Sequence, residues 1–79
     1  MSSGGWRVVL WDDDINTVAT VAFVLHRLIG MSIGKALDLP HEVHERGVAE
    51  IAVLEDREQA EMMAARMQVF GLHGGVIPA

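Results

Sequence analysis

Trp6 to Trp11 reads WRVVLW and runs straight into DDDIN at Asp12 to Asn16. A run this rich in β-branched and aromatic side chains predicts a strand with both faces at least partly covered, and the three aspartates end it. Working outward, Val18, Val21, Ala22, Leu25, Leu28 and Ile29 fall at helical spacing, with Asn16 or Thr17 as N-cap and Gly30 as a left-handed stop. Ser32 caps a second helix that carries Ile33, Ala36, Leu37, Val43 and His44 before Gly47. Pro40 in its middle removes one donor and clashes with the carbonyl four residues back, so a kink or a break is expected there. Val48 to Leu54 (VAEIAVL) alternates as a strand with Ala49, Ile51 and Val53 on one side. Asp56 opens a third helix with Gln59 in the capping-box position. Ala60, Met63, Ala64, Met67 and Phe70 give that helix an apolar face up to Gly71, and Gly74 to Ala79 supplies a last short strand. The order is strand, helix, helix, strand, helix, strand, an α/β (α+β) arrangement.

Seventy-nine residues, 51% of them apolar, hold material for one core, so a flexible lead over Met1 to Gly5 and a single domain over residues 6–79 are expected. The absence of cysteine excludes disulfides, zinc thiolate sites and cysteine nucleophiles, and suits a reducing compartment. Eleven acidic against six basic residues leave a net charge of −5, which repels phosphate backbones and argues against a nucleic-acid partner. The uncharged run Ile15 to Leu25 is too short and too polar to span a bilayer, and no basic region leads into an apolar run at the N-terminus. A cytoplasmic protein with no membrane partner is expected.

An αβ order says nothing about chemistry, which must come from particular side chains. Asp12, Asp13 and Asp14 sit between a strand end and a helix start, where three carboxylates either form a solvated capping turn or build a site. His41 and His44 in HEVH lie on one helical face. The spacing and glutamate placement of the zinc protease motif are absent, so an exposed face is expected and no metal. Met31, Met62, Met63 and Met67 are expected to fill gaps in the core, and Gly47 to end helix two. No serine has a histidine and acid pair in a nucleophile setting and no glycine pattern cradles phosphate, so neither an enzyme nor a cofactor is expected.

Four short strings nevertheless occur in an informative order: VLWDDDIN before helix one, IGMS between the first two helices, VHERG at the end of helix two and REQAE opening helix three. Together they make Trp6 to about His73 resemble the ClpS adaptor proteins, which recognise the N-terminal residue of proteins bound for degradation. The family shows an apolar strand followed by Asn-Asp-Asp, then Val-His-x-x-Gly and Arg-Glu-x-Ala-Glu.

The resemblance implies a three-stranded antiparallel sheet with three helices on one face, and a pocket between the strand-one exit and helix two. It implies a non-enzymatic adaptor whose pocket takes a bulky apolar side chain, while polar groups at its mouth hold the free α-amine. By position, Asp12, Asp13, Asp14, Asn16 and His44 are implied to bind the amine and peptide, with Val18, Pro40 and Val43 as pocket walls. The implied partners are N-terminal peptides and a Clp AAA+ unfoldase of the ClpA or ClpC type. Asp12 replaces the family asparagine and can only accept. Val18 stands at a gate position often held by methionine, and Pro40 stands where an apolar wall residue is usual. The five residues ahead of Trp6 are fewer than the family carries, which implies weak delivery. The alternative is a repurposed member serving as the peptide-recognition partner of a processing or biosynthetic enzyme.

Overall fold

Strand β1 (Trp6–Trp11) is the middle strand of a three-stranded antiparallel sheet, flanked by β2 (Val48–Leu54) and β3 (His73–Pro78), in a computed structural model that describes residues 4–13 and 15–79. Met1 to Ser3, the first part of the lead expected over Met1 to Gly5, and Asp14 lie outside the described residues. A central strand has its backbone paired along both edges. Val8, Val9 and Leu10 are all buried, and Val8 and Leu10 join the main core.

Helix α1 (Val18–Phe23) continues directly into a π-helical turn (Val24–Leu28), followed by α2 (Ile33–Arg46) and α3 (Arg57–Val69). The start signals read from the sequence are realised by hydrogen bonds. Thr17, rather than Asn16, accepts from the Thr20 N–H at 3.1 Å, and Ser32 accepts from the Lys35 N–H at 3.3 Å. Asp56 accepts from the Glu58 N–H at 3.2 Å. Gly30, Gly47 and Gly71 all adopt positive φ, as glycine at a helix end allows. The π turn places the Ile29 N–H on the Val24 carbonyl at 3.1 Å and the Met31 N–H on that of Leu25 at 3.0 Å, a widening that residue spacing does not announce.

Two local expectations are corrected. Helix α2 runs unbroken through Pro40. A mid-helix proline costs about 3 kcal/mol. Here the segments on both sides are anchored, by Ala36 and Leu39 before it and by Val43 after it, all buried in the core. Strand β2 does not alternate evenly, because Val8 pairs with Ala52 while Val9 pairs with Glu50. Ile51 is thus an extra residue, a β-bulge, and beyond it the inward set shifts parity. Ala49, Ile51 and Leu54 pack on the core, whereas Val53 is exposed on the far face.

The core lies between the sheet and the helices, with Leu25, Ala36, Ala60 and Met67 fully enclosed beside Val8 and Leu10. Met31 and Met63 pack at its margin, while Met62 points to solvent and takes no part in core filling. At Gly74 α3 lies close against β3, since a Cβ there would lie 2.6 Å from Met67 Cε. Among the described residues, no helix is long and apolar enough to cross a membrane.

Candidate functional site

The segment after β1 is shaped by Asp13. Its Oδ1 accepts from the N–H groups of Ile15 and Asn16, both at 2.8 Å, and its Oδ2 accepts from the Asn16 side-chain amide at 3.1 Å. An aspartate that bonds its own backbone two and three residues on builds a turn by itself. The same Asn16 amide donates to the Gly71 carbonyl at 2.7 Å, tying the acidic segment to the turn between α3 and β3. The Asn16 N–H, above all, and then the Asn16 amide, with help from the Ile15 N–H and nearby His73, hold the Asp13 carboxyl below its usual value. Asp13 is therefore ionised at neutral pH with its oxygens committed to the turn.

Asp12 is placed differently. Its N–H donates to the Gly47 carbonyl at 2.9 Å, so the exit of β1 is fastened to the C-terminal cap of α2, one turn beyond His44. The two side chains face each other, with Asp12 Oδ2 3.7 Å from His44 Nδ1. That separation exceeds a hydrogen bond, so the carboxylate and the imidazole do not satisfy one another. His44 is 80% exposed at its side chain, and nothing in the fold depends on burying it.

Behind this pair lies a cavity of about 380 Å³ between the β1 exit, α1 and α2. Asp12, Asp13, Asn16 and His44 line it together with Val18, Pro40 and Val43, so the structure brings seven of the eight residues singled out from the sequence around one space. The eighth, Asp14, is outside the described residues. The lining includes six more: Leu10, Trp11, Thr17, Val21, His41 and Leu72. Some of these had a local signal. Val21 and His41 each lie one helical turn from a singled-out residue, and Leu10 and Trp11 immediately precede the aspartates. Leu72 had none, because it reaches the cavity only through the pairing of β3 with β1. The cavity thus has apolar walls and a mouth of carboxylates and imidazoles, suited to an apolar group that carries a cation. Among the described residues no group of three or more His, Asp or Glu is arranged to hold a metal ion.

Comparison with known proteins identifies the family. The sequence profile of the ATP-dependent Clp protease adaptor protein ClpS matches residues 2–73. The chain belongs to the ClpS family. It is 31% identical over 72 residues to a Mycobacterium leprae ATP-dependent Clp protease adapter protein ClpS, covering 91% of this chain and 66% of that one. A Nocardia farcinica ClpS is 33% identical over 67 residues, covering 85% and 62% respectively. The chain therefore spans somewhat under two thirds of the length of these ClpS relatives. The fold superposes on Agrobacterium tumefaciens ClpS2 bound to L-phenylalaninamide with a TM-score of 0.84 and 26% identity, covering 94% of this chain and 95% of that one. The ClpS assignment accounts for the β-α-α-β-α-β order and for the helices lying on one face of the sheet.

Proposed function

We propose that this chain is an adaptor that binds the N-terminal residue of a polypeptide, a free α-ammonium with a bulky apolar side chain, and presents it to a Clp AAA+ unfoldase of the ClpA or ClpC type. The observation that carries this reading is the unclosed gap of 3.7 Å between Asp12 Oδ2 and His44 Nδ1 at the mouth of an apolar cavity. One ammonium group bridges two acceptors at that separation, donating to the carboxylate and to the unprotonated nitrogen of a neutral imidazole. The remaining N–H bonds to neither, and the side chain on the same carbon is directed between Val18, Pro40 and Val43. A cavity of about 380 Å³ is large enough for an aromatic or branched aliphatic side chain. That the structural relative ClpS2 holds L-phenylalaninamide supports this class of ligand.

In this reading Asp13 shapes the mouth and adds negative charge without touching the amine, since its oxygens already serve the turn. Asn16 acts alongside it by joining the turn to the segment that carries Leu72. Asp14 contributes a further carboxylate in sequence. No step in this function makes or breaks a covalent bond. The test is a matched pair of peptides beginning with phenylalanine, one free and one N-acetylated. Loss of a hydrogen bond to a charged group costs about 1.5–3 kcal/mol, so the acetylated peptide binds about tenfold more weakly or worse. Equal affinities would refute the proposal.

A further inference from the structure

The end of β1 and the residue after it, Trp11 and Asp12, both line the cavity. Trp11 pairs across the sheet with Val48 and His73, on the face opposite the helices. Its indole is held in two ways. A Cβ on Gly75 would lie 2.5 Å from Trp11 Cζ3 and 2.9 Å from Cη2, so the ring rests on the β3 backbone only because residue 75 is glycine. His73 meets the indole in a T-shaped contact, with centroids 6.0 Å apart and planes at 63°. Despite both contacts Trp11 remains 37% exposed. A large aromatic fixed in place, partly wet and lining the same cavity as the Asp12 carboxylate, has the composition of a site for an organic cation. The π face and the anion attract the same charge.

We infer that Trp11 and Asp12 form a second subsite that selects a cationic side chain, arginine or lysine, at the residue following the terminal one in the bound peptide. This rests on the adaptor reading above. With the α-ammonium between Asp12 and His44 and the first side chain inside the cavity, the peptide backbone leaves outward across the rim. The next residue lies about 3.5 Å further along an extended chain, within reach of the side chain adjoining Asp12. A carboxylate has two oxygens and serves two cations, so Asp12 belongs to both subsites. A guanidinium stacks on an indole through its plane, which favours arginine over lysine.

The experiment uses the whole chain and a series of peptides starting with phenylalanine, with arginine, lysine, citrulline, alanine or glutamate second, read by fluorescence anisotropy. Arginine binds about fivefold more tightly than alanine, and citrulline, planar but uncharged, binds like alanine. Trp11→Leu reduces the arginine preference to less than about twofold. Gly75→Ala, which displaces the ring without deleting it, does the same. Melting curves confirm that each variant is folded, and Trp11→Leu alone suffices should Gly75→Ala unfold. A flat second-residue series with a preserved first-residue preference overturns the subsite and leaves the adaptor reading standing. Retention of the arginine preference in Trp11→Leu also overturns it, tracing the effect to the general field of an acidic chain. Equal binding of free and acetylated peptides removes the adaptor reading and the subsite together.

Discussion

The two ends of β1 carry the same side chain in opposite surroundings. Trp6 is on the helix side, packed against the main core, with the Arg57 guanidinium 5.0 Å from its ring centroid. Trp11, an odd number of residues later, is on the far face, lying over Gly75 at the edge of the cavity. Strand parity chooses the face, but the difference in function comes from when the covering helix begins. At the Trp6 end, α3 starts at Arg57, three residues after β2 ends at Leu54, and covers the sheet at once. At the Trp11 end, α1 starts only at Val18, after the acidic turn, and the delay leaves the cavity. A binding site here is a stretch of sheet whose cover arrives late, and the turn that causes the delay supplies its charge.

The comparison breaks most severely at Leu10, which is both a member of the core and a wall of the cavity. Leu10→Ala is expected to cost about 2–5 kcal/mol, because a buried site this constrained collapses little around a missing side chain. Urea denaturation measures it. A loss below about 1 kcal/mol would mean that the Trp11 end is not supported by the same core as the Trp6 end. Next in size is His44→Ala, which is expected to weaken peptide binding by about 1.5–3 kcal/mol. Stability is expected to move by less than about 0.5 kcal/mol, since the ring is exposed and buries nothing. Affinity and melting temperature taken together decide it, and a destabilised variant with unchanged affinity would make His44 a structural residue.

A third and smaller effect separates the turn from both ends. The Asp13 carboxyl is held below its usual value by the Asn16 N–H and amide. A depressed folded value means that the stabilisation is fully present above the unfolded value of about 3.9 and is lost as pH falls through the lower folded value. Asp13→Ala is therefore expected to cost about 1 kcal/mol at pH 7, the scale of a lost helix cap. The gap from the original chain closes in acid below about pH 4. Denaturation at a series of pH values checks it, and a gap that persists in strong acid would show that the loss is one of packing.

Much of this was legible in the sequence, and the exceptions have physical causes. Composition and glycine positions located every strand and helix, because caps and left-handed stops are local devices: Thr17, Ser32, Asp56 and Gly47 each act within a few residues. The continuity of α2 through Pro40 was not legible, since it depends on buried contacts that Ala36, Leu39 and Val43 make with distant segments. The bulge at Ile51 was also hidden, because VAEIAVL alternates well enough to read as regular and only the pairing with β1 shows the extra residue. At the site, the aspartates and His44 stood out by type and order. What could not be read was the division of labour between Asp12 and Asp13, identical residues in adjacent positions. It is set by the Asp12 N–H reaching Gly47 and the Asp13 carboxylate turning back on Asn16.

The smallest expected effect tests whether the Trp6 end is purely structural. Arg57 lies over Trp6 and also donates to Glu61 at 3.0 Å one helical turn on, with both partners well exposed. An exposed pair at this spacing is worth about 0.3–0.5 kcal/mol and is screened by salt. An exposed cation–π contact is worth about 0.5–1 kcal/mol. Glu61→Gln removes only the pair and keeps the guanidinium over the ring, whereas Arg57→Ala removes both, so the second variant is expected to be the less stable. The difference between them should survive added salt, because the aromatic contact rests on packing as well as charge. Neither is expected to change affinity for a peptide, since neither residue lines the cavity. Equal stability of the two variants would assign no net contribution to the Trp6 contact. A change in affinity would show that the two ends of β1 are coupled, and would place the Trp6 end within the binding function.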